Sequence, residues 1–203
     1  MTGPAEDPLR AALRGLRADV SPPLIDGGDL RFVVEDTPVG QLLLAARLDG
    51  TLLTSSFVGD DAEADSLLDR LAQRVSPRVL RGGEVLDAPR RQLDEYLTGR
   101  RRAFGLELDL TLATPFQRLV LDRLTREVGY GTTVSYSGLA VALGRPGSAR
   151  AVGAALGANP LCVVLPCHRV VAASGALTGY AGGITAKRYL LDLEAAGTAG
   201  SPE

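Results

Sequence analysis

The chain has 203 residues, 45% of them hydrophobic, which is enough for one large or two small globular domains with real cores. A net charge of −2 by itself argues against a nucleic-acid partner, and no apolar run approaches the length of a membrane span. The N-terminus has no apolar signal segment, and two cysteines in one apolar run make no disulfide framework, so we expect a cytoplasmic protein. Two cysteines and one histidine are too few for a structural zinc site, so no metal is expected.

The charges are unevenly distributed along the chain. Residues 1–110 carry 14 basic and 19 acidic side chains, whereas residues 111–203 carry 8 basic and 5 acidic. This asymmetry indicates that one face of the second half meets an anion. A random distribution of surface charge explains the same counts equally well at this point.

The first half alternates between helical and extended patterns. Residues 7–18 follow an Asp-Pro start with leucines on one face and predict a short amphipathic helix. Three strands joined by two tight turns are predicted over residues 30–58. Two amphipathic helices and a further strand follow, at residues 61–75, 88–99 and 103–110. Because this half has no cysteine, no histidine and no glycine-rich phosphate loop, we interpret it as an α+β scaffold domain.

The second half begins with a helix over residues 114–128 and continues with a helix-turn-helix pattern over residues 135–160. The second helix of that pair contains alanine, glycine, valine and leucine, and its one long polar side chain is Arg150. Such a helix lacks the side chains that read major-groove base edges, but its small residues allow close approach to a narrow groove. The alternative is a tightly packed core helix, which explains Arg150 least well, since a lone arginine suits insertion where a nucleotide has left the stack.

The run NPLCVVLPCHRVV, residues 159–171, holds both cysteines and the only histidine. If the run is extended, Cys167 and His168 point in opposite directions, and His168 must act on the sulfur through a water. Pro166 removes a backbone donor and ends the regular ladder. Taken alone, the run favours a buried structural thiol. The neighbouring basic charge, the helix-turn-helix and Arg150 together favour a thiolate nucleophile, which is well matched to attack at a saturated carbon.

The Pro-Cys-His-Arg-Val motif at 166–170 has several characteristic neighbours in order. They are TPFQRLV (114–120), YGTTVSY (130–136), ARAVGAALGANP (149–160) and SGALTGYAGG (174–183). Over residues 30 to 195 the chain resembles the O6-alkylguanine-DNA alkyltransferases, the methylated-DNA–protein-cysteine methyltransferases. The resemblance implies an α+β fold, with an N-terminal ribonuclease-H-like α/β domain and a C-terminal helical, winged helix-turn-helix domain. The expected boundaries are an extension at 1–28, the scaffold at 29–110, the DNA-binding and alkyl-acceptor domain at 111–197, and a tail at 198–203.

The resemblance also implies roles for individual residues. Cys167 is expected to be the alkyl acceptor, His168 its base through a water, and Glu194 the residue that orients His168. Asn159 is expected to fix the turn that carries the cysteine loop, and Tyr136 to donate a proton or hydrogen bond to the leaving guanine.

Two further groups of residues are expected to contact DNA and the base. Those at the start of the second helix are Ser148, Ala149, Arg150 and Ala151, with Arg150 filling the gap left by a flipped nucleotide. Those around the base are Val170, Tyr180, Ala181, Lys187 and Cys162, with backbone groups reading the guanine edge. Cys162 stands where the family usually has a proline or small residue, and Leu121 where it usually has a tryptophan. Cys162 is expected to be a small buried hydrophobe, and a reshaped alkyl pocket is the alternative.

The implied function is repair of duplex DNA without any cofactor. After base flipping, the alkyl group of O6-alkylguanine, and also of O4-methylthymine, passes to Cys167 in the minor groove, and the monomeric protein is inactivated. One alternative is a lesion-sensing or regulatory DNA-binding protein, but the sensing relatives replace the cysteine and a regulator needs base-reading side chains. The other is a cysteine hydrolase, which needs a direct Cys–His contact and an oxyanion site.

Overall fold

The structure is a computed structural model that describes residues 29–199, so the helix predicted over 7–18 lies outside the described residues. The first part forms a four-stranded sheet from β1 (Asp29–Thr37), β2 (Gly40–Arg47), β3 (Leu52–Phe57) and β4 (Arg78–Arg81). The strand order is β3-β2-β1-β4, and β4 lies parallel to β1 while the other neighbours are antiparallel. The three strands predicted over 30–58 are confirmed, whereas the sequence pattern did not predict β4.

β2 lies inside the sheet and is buried on both faces, so its sequence is a continuous apolar run. Leu42 and Leu44 belong to a core shared with the second half of the chain. Leu43 and Ala45 point the other way and pack with the helix α1 (Asp61–Arg74). The sheet therefore has one core on each side.

The helices predicted over 61–75 and 88–99 are both present. α1 begins after Asp60, whose carboxylate accepts a hydrogen bond of 2.9 Å from the Glu63 N–H. α2 (Asp87–Leu97) buries Leu93 and Tyr96 against the core shared with the second half. α2 thereby carries a tyrosine hydroxyl into the region between the two halves.

Residues 103–110 do not form the predicted strand. Leu108 makes a single parallel bridge to Leu52, at the start of β3. Further along the same edge, Ser55 makes a parallel bridge to Leu161. Because the open edge of β3 is shared between two segments, neither pairs with it over more than a residue or two.

The second half is helical and carries the predicted helix-turn-helix. Its elements are α3 (Pro115–Glu127), β5 (Val134–Ser135), α4 (Tyr136–Ala142), α5 (Ala149–Gly157), β6 (Val170–Val171) and α6 (Gly183–Ala199). α3 begins with a capping box, in which Thr114 and Gln117 satisfy each other's backbone N–H groups. α5 packs against both α3 and α4, and β5 pairs in parallel with β6. Within residues 29–199, no helix has the length and hydropathy needed to cross a membrane.

The two halves are joined through the open edge of β3. The Ser55 N–H and the Thr54 hydroxyl both donate to the Pro160 carbonyl, at 2.9 and 2.7 Å. The Ser55 hydroxyl donates to the Cys162 carbonyl at 2.9 Å. These buried bonds hold the segment that leads to Cys167, so the first half positions the loop that carries Cys167.

Candidate active site

Cys167 lies in one turn of 3-10 helix over Cys167–Arg169 and not in an extended run. The premise of an extended chain is therefore wrong here, because Pro166 ends the ladder and its carbonyl accepts from the Arg169 N–H at 3.0 Å. Successive side chains of a 3-10 helix are separated by ~120°. Cys167 and His168 still point in different directions, but because of the 3-10 turn and not because of alternation along a strand.

The Cys167 sulfur is buried and accepts a hydrogen bond from the side-chain amide of Asn159, with Nδ2 at 3.2 Å from Sγ. The same amide donates to the Leu165 carbonyl at 3.1 Å, and the Asn159 Oδ1 accepts from the Leu161 N–H at 3.0 Å. Asn159 thus joins both ends of the loop before Cys167. The neighbouring Cys162 side chain, with help from the Asn159 hydrogen bond and the charge of Lys187, lowers the pKa of the Cys167 thiol despite burial.

Cys162 is buried in the same core as Cys167, and the neighbouring Cys167 side chain together with burial raises its pKa. Its thiol also donates to the Asn159 carbonyl at 3.4 Å. The pKa values of the two sulfurs are therefore displaced in opposite directions. These directions favour Cys167 over Cys162 as the sulfur that ionises.

His168 is fully buried and its Nε2 lies 2.7 Å from Oε1 of Glu194, which is also fully buried. Because Glu194 accepts here, the proton of a neutral imidazole is assigned to Nε2, and Nδ1 keeps a free lone pair. Nδ1 has no hydrogen-bond partner among the described residues. Burial, with smaller effects of Arg169 and Lys187, lowers the pKa of His168 although Glu194 opposes this. His168 is thus a neutral base with one open acceptor.

Glu194, on α6, is the centre of a buried network. Its carboxylate also accepts from the Tyr96 hydroxyl, from the Arg169 Nε at 2.9 Å and from the Gly131 N–H at 2.9 Å. Burial alone would raise its pKa, but the bonds from His168, Arg169 and Tyr96 lower the pKa to about 2. Glu194 is therefore an anion at every pH at which the protein works.

The sequence did not assign roles to Tyr96 or Arg169. Arg169 is part of the quoted motif, and a basic residue within an apolar run is a signal that it has a buried partner. Tyr96 falls on the apolar face of α2, where a tyrosine is as well explained by packing. Burial and the charge of Glu194 raise the pKa of Tyr96, so its hydroxyl stays a donor.

Lys187 is buried, and its ammonium donates to the carbonyls of Val170 and Thr178 at 2.6 and 2.9 Å. It thereby ties β6 to the loop before α6. Its Nζ lies 5.8 Å from the centroid of the Tyr136 ring, which is half-buried at the first position of α4. Burial lowers the pKa of Lys187. The structure thus brings Tyr136 and Val170 together around one buried cation.

Tyr180 packs edge-on against Phe57 and His168, with ring centroids 5.4 and 6.3 Å apart. Its hydroxyl is buried without a partner among the described residues, and burial raises its pKa. Next to it, a cleft of about 220 Å³ opens between the halves, with Ala181 and Cys162 in its wall. The expected pocket residues are thus neighbours, but the cleft walls do not include Val170, Tyr180 or Lys187.

α5 presents a surface of small side chains with one long cation. Val152 is buried, whereas Arg150 and Ala151 are exposed and Ala149 is half-buried. Arg150 forms no ion pair or hydrogen bond with the rest of the described chain. Ser148 precedes the helix, and its hydroxyl donates to the Arg145 carbonyl instead of capping. The start of α5 is therefore free to contact a partner.

Comparison of the sequence with known protein families finds two matching domains, one in each half of the chain. Residues 30–110 match the family model described as 6-O-methylguanine DNA methyltransferase, ribonuclease-like domain, and residues 115–196 match the DNA binding domain of the same name. The methylated-DNA–protein-cysteine methyltransferase of Mycolicibacterium paratuberculosis is 42% identical over 165 residues, covering 81% of this chain and 92% of that protein. That of Mycobacterium leprae is 40% identical over 159 residues, covering 78% and 88%.

Solved structures agree with this comparison. The crystal structure of Mycobacterium tuberculosis O6-methylguanine methyltransferase superposes with a TM-score of 0.71 at 36% identity, covering 85% of this chain and 95% of that one. Mycobacterium tuberculosis OGT in complex with DNA gives 0.68 at 37% identity, covering 83% and 94%. These matches confirm the expected α+β fold class and the resemblance stated from the motifs. The chain belongs to the 6-O-methylguanine DNA methyltransferase family.

Proposed function

We propose that this protein repairs DNA by transferring the methyl or alkyl group of O6-alkylguanine directly to Cys167, and is consumed in the process. The observation that carries the proposal is the buried Cys167 thiol with a lowered pKa, next to a neutral His168 whose Nδ1 is open. The relatives named methylated-DNA–protein-cysteine methyltransferase support the same reaction. O4-methylthymine is a second substrate of the same chemistry.

The reaction begins with loss of the Cys167 proton to Nδ1 of His168, through an intervening water. Glu194 accepts from Nε2 of His168 and stabilises the imidazolium that forms, as an ionised carboxylate does in other Cys–His and Ser–His sites. The expected roles of Cys167, His168 and Glu194 thus form a relay in which Cys167 and His168 change charge, while Glu194 stays ionised and compensates the charge on His168.

In the transfer step the Cys167 sulfur attacks the alkyl carbon, and a new S–C bond forms as the O6–C bond breaks. The bonding electron pair of O6–C passes to guanine, which takes up a proton, with Tyr136 as the hydrogen-bond donor at the leaving base. The product thioether is not hydrolysed by any group in the motif. One molecule of protein therefore removes one alkyl group.

The substrate is duplex DNA, and we propose that it binds through α4 and α5 in the minor groove. An alkyl group on O6 lies within the stack, so the nucleotide must be extruded before sulfur can reach it. Arg150 fills the gap, while the small side chains of Ser148, Ala149 and Ala151 let the backbone approach the groove. The match to a DNA binding domain over residues 115–196, and the DNA complex of the Mycobacterium tuberculosis relative, support DNA as the partner.

The extruded base enters beside Tyr180, with backbone groups of Val170 and Ala181 at the guanine edge. Asn159 keeps the cysteine loop in place, and Lys187 supports the β6 end of the pocket through its bond to the Val170 carbonyl. The protein acts as a monomer, in a cytoplasm whose reducing conditions keep Cys167 a thiol. A lesion sensor without transfer is the second candidate, and nothing in the geometry of Cys167 favours it.

The proposal is tested by incubating the protein with duplex DNA that carries one O6-methylguanine. We expect the intact mass to rise by one methyl group and peptide mass spectrometry to locate it on Cys167. The matched controls are the same duplex with unmodified guanine and the Cys167→Ala variant, and neither should gain mass. Folded protein that gains no methyl group, or a methyl group that persists in Cys167→Ala, would contradict the proposal.

A further inference from the structure

The cleft between the two halves has a positively charged wall for which the proposed reaction has no use. Arg70 and Arg74 lie one turn apart on α1 and line the side of the cleft that the first half forms. Both residues are exposed. Of the described residues that line this cleft of about 220 Å³, none is a carboxylate. Two guanidinium groups in a wall without a neutralising acid suit an anionic ligand.

The two guanidinium groups are available to a partner from outside the chain. That of Arg70 forms no hydrogen bond or ion pair with another described residue. That of Arg74 makes one long bond, from Nη1 to the Leu112 carbonyl at 3.4 Å, and this leaves most of its N–H donors open. The bond keeps Arg74 at the rim of the cleft without consuming its capacity to bind an anion.

The carboxylates nearest along the same groove are engaged elsewhere. The groove continues from Arg70 towards the start of α1, where Asp60 and Glu63 lie in its wall. Asp60 accepts from the Glu63 N–H at 2.9 Å, and the Glu63 carboxylate accepts from the Gly59 N–H at 2.7 Å. The positive charge is therefore confined to the end of the groove that adjoins the second half. The other acidic residues of α1 are exposed and lie outside both walls: Asp61, Asp65 and Asp69.

The opposite wall of the cleft includes the end of α5. Gly157 and Ala158 line it there, and because both are small, α5 supplies no cation at this end. The exposed positions of α5 and its C-cap fall on one stripe at helical spacing, which runs from Arg150 through Ala154 to Ala158. The stripe that we place against DNA thus begins at Arg150 and ends, ~10 Å further along the helix, at the cleft with the two arginines.

We propose that Arg70 and Arg74 bind a phosphate of the DNA backbone beside the end of α5, so that the scaffold half helps to hold the duplex. This inference rests on the proposed function and adds a DNA contact outside residues 115–196. Guanidinium groups bind phosphate through paired N–H donors, and such contacts fix the position of a duplex without reading its sequence. Nucleotides of one strand rise about 3.4 Å each, so this phosphate lies about three nucleotides from the extruded one.

The first test measures how salt weakens the binding of an unmodified duplex, followed by fluorescence anisotropy. Each lost phosphate contact should make the slope of log affinity against log salt concentration less steep by about one. We expect this change in Arg70→Gln and about twice this change in Arg70→Gln/Arg74→Gln. Arg70→Lys keeps the charge and should keep the wild-type slope. The matched control is Arg91→Gln, which removes an exposed arginine of α2 outside the cleft wall and should also keep it.

The second test locates the phosphate. In a duplex carrying O6-methylguanine, one phosphate at a time is replaced by an uncharged methylphosphonate, and the single-turnover rate of methyl uptake is measured below saturating DNA. Replacement at about two to four nucleotides from the lesion should slow the wild type several-fold. It should not slow Arg70→Gln/Arg74→Gln further, because that variant has already lost the contact. A free O6-alkylguanine base has no phosphate, so its rate should be the same in all these proteins.

Three results would overturn the inference. One is a salt slope of the double variant that coincides with the wild-type slope. Another is a double variant that every methylphosphonate slows as much as it slows the wild type. The third is an equal loss of rate on the free base, since that places the effect at the reaction site. Binding of unmodified DNA needs no transfer, so a wild type that binds DNA but takes up no methyl group would refute the proposed function, while the salt slopes still decide on the two arginines.

Discussion

At the scale of single residues, the environments of Cys167 and His168 suit the proposed proton transfer, and they do so by opposite means. Hydrogen bonds and a nearby cation favour the charged form of the sulfur, whereas burial favours the neutral form of the imidazole. Glu194 stays ionised because Arg169 and Tyr96 bind it in addition to His168. The pair can therefore exchange a proton without either group losing its stabilising partners.

The buried imidazole predicts how stability depends on pH. The pKa of His168 is lowered in the folded protein, while an unfolded histidine titrates near ~6.5, so the unfolded chain binds more protons just below that pH. The free energy of unfolding should therefore fall as the pH is lowered from about 7 through the folded pKa of His168. The free energy of unfolding of the wild type and of His168→Gln is measured by denaturant titration at a series of pH values. Because the chain has one histidine, the dependence of this free energy on pH should be steeper for the wild type within this window. Parallel curves for the two proteins would rule out a buried neutral His168.

The sequence was sufficient to predict which residues form this cluster, but not the conformation of the chain around them. The family resemblance put Asn159, Cys167, His168 and Glu194 in one site, and the structure brings them together, although their roles are still predictions. The local conformation was not predictable from alternation, because one proline replaces a strand with a 3-10 turn. The chain between Cys162 and Cys167 includes a positive φ at Val163, and side-chain patterns contain no signal for that.

At the scale of elements, periodic apolar patterns predicted α1 to α5 and the β1–β3 meander, but they gave no prediction for α6 and failed at short segments. β4 (Arg78–Arg81) has four residues with charged ends, too few for a pattern of period two. Residues 103–110 do alternate, yet they form one bridge, since β3 offers them only part of its edge. In both cases the strand partner that was available, and not the β-propensity of the segment, determined whether a strand formed.

α5 gives the prediction that belongs to this scale. Arg150→Ala should slow methyl removal from duplex DNA at least tenfold, because only the duplex needs a flipped state held open. Reaction with a free O6-alkylguanine base should be almost unchanged. Single-turnover rates on both substrates give the comparison, and Arg126→Ala is the control, since Arg126 is exposed on α3 and paired with Asp122 at 2.9 Å. Equal losses on duplex and free base would exclude the role of Arg150 as a finger.

At the scale of the whole molecule, the scaffold half does more than cover the second half. The edge of β3 fixes the segment before Cys167 through Ser55, and α2 sends Tyr96 to Glu194 across the shared core. Both contacts join residues about a hundred positions apart, so local sequence patterns could not predict them. The half without cysteine or histidine therefore takes part in the buried network around His168 and Glu194, which the proposed reaction uses.

Tyr96→Phe tests this dependence between the halves. The variant keeps the ring but removes the hydroxyl that donates to Glu194, so the pKa of Glu194 should rise and the orientation of His168 should be less fixed. We expect the free energy of unfolding to fall by about 1–3 kcal/mol, since a hydrogen bond to a buried charge is lost. The single-turnover rate of methyl uptake should fall several-fold over the whole pH range in which the protein stays folded.

The matched control is Tyr130→Phe. The Tyr130 ring packs edge-on against Tyr96 with centroids 6.0 Å apart, but its hydroxyl donates to the Leu193 carbonyl at 3.5 Å and not to Glu194. This variant loses a comparable hydroxyl from the same cluster and should keep its transfer rate. If the two variants lose rate equally, the hydroxyl of Tyr96 acts only through packing. If Tyr96→Phe alone is slow, the scaffold half contributes directly to the reaction. It does so through the Tyr96 hydrogen bond, which stabilises the ionised Glu194 that His168 needs when it takes the cysteine proton.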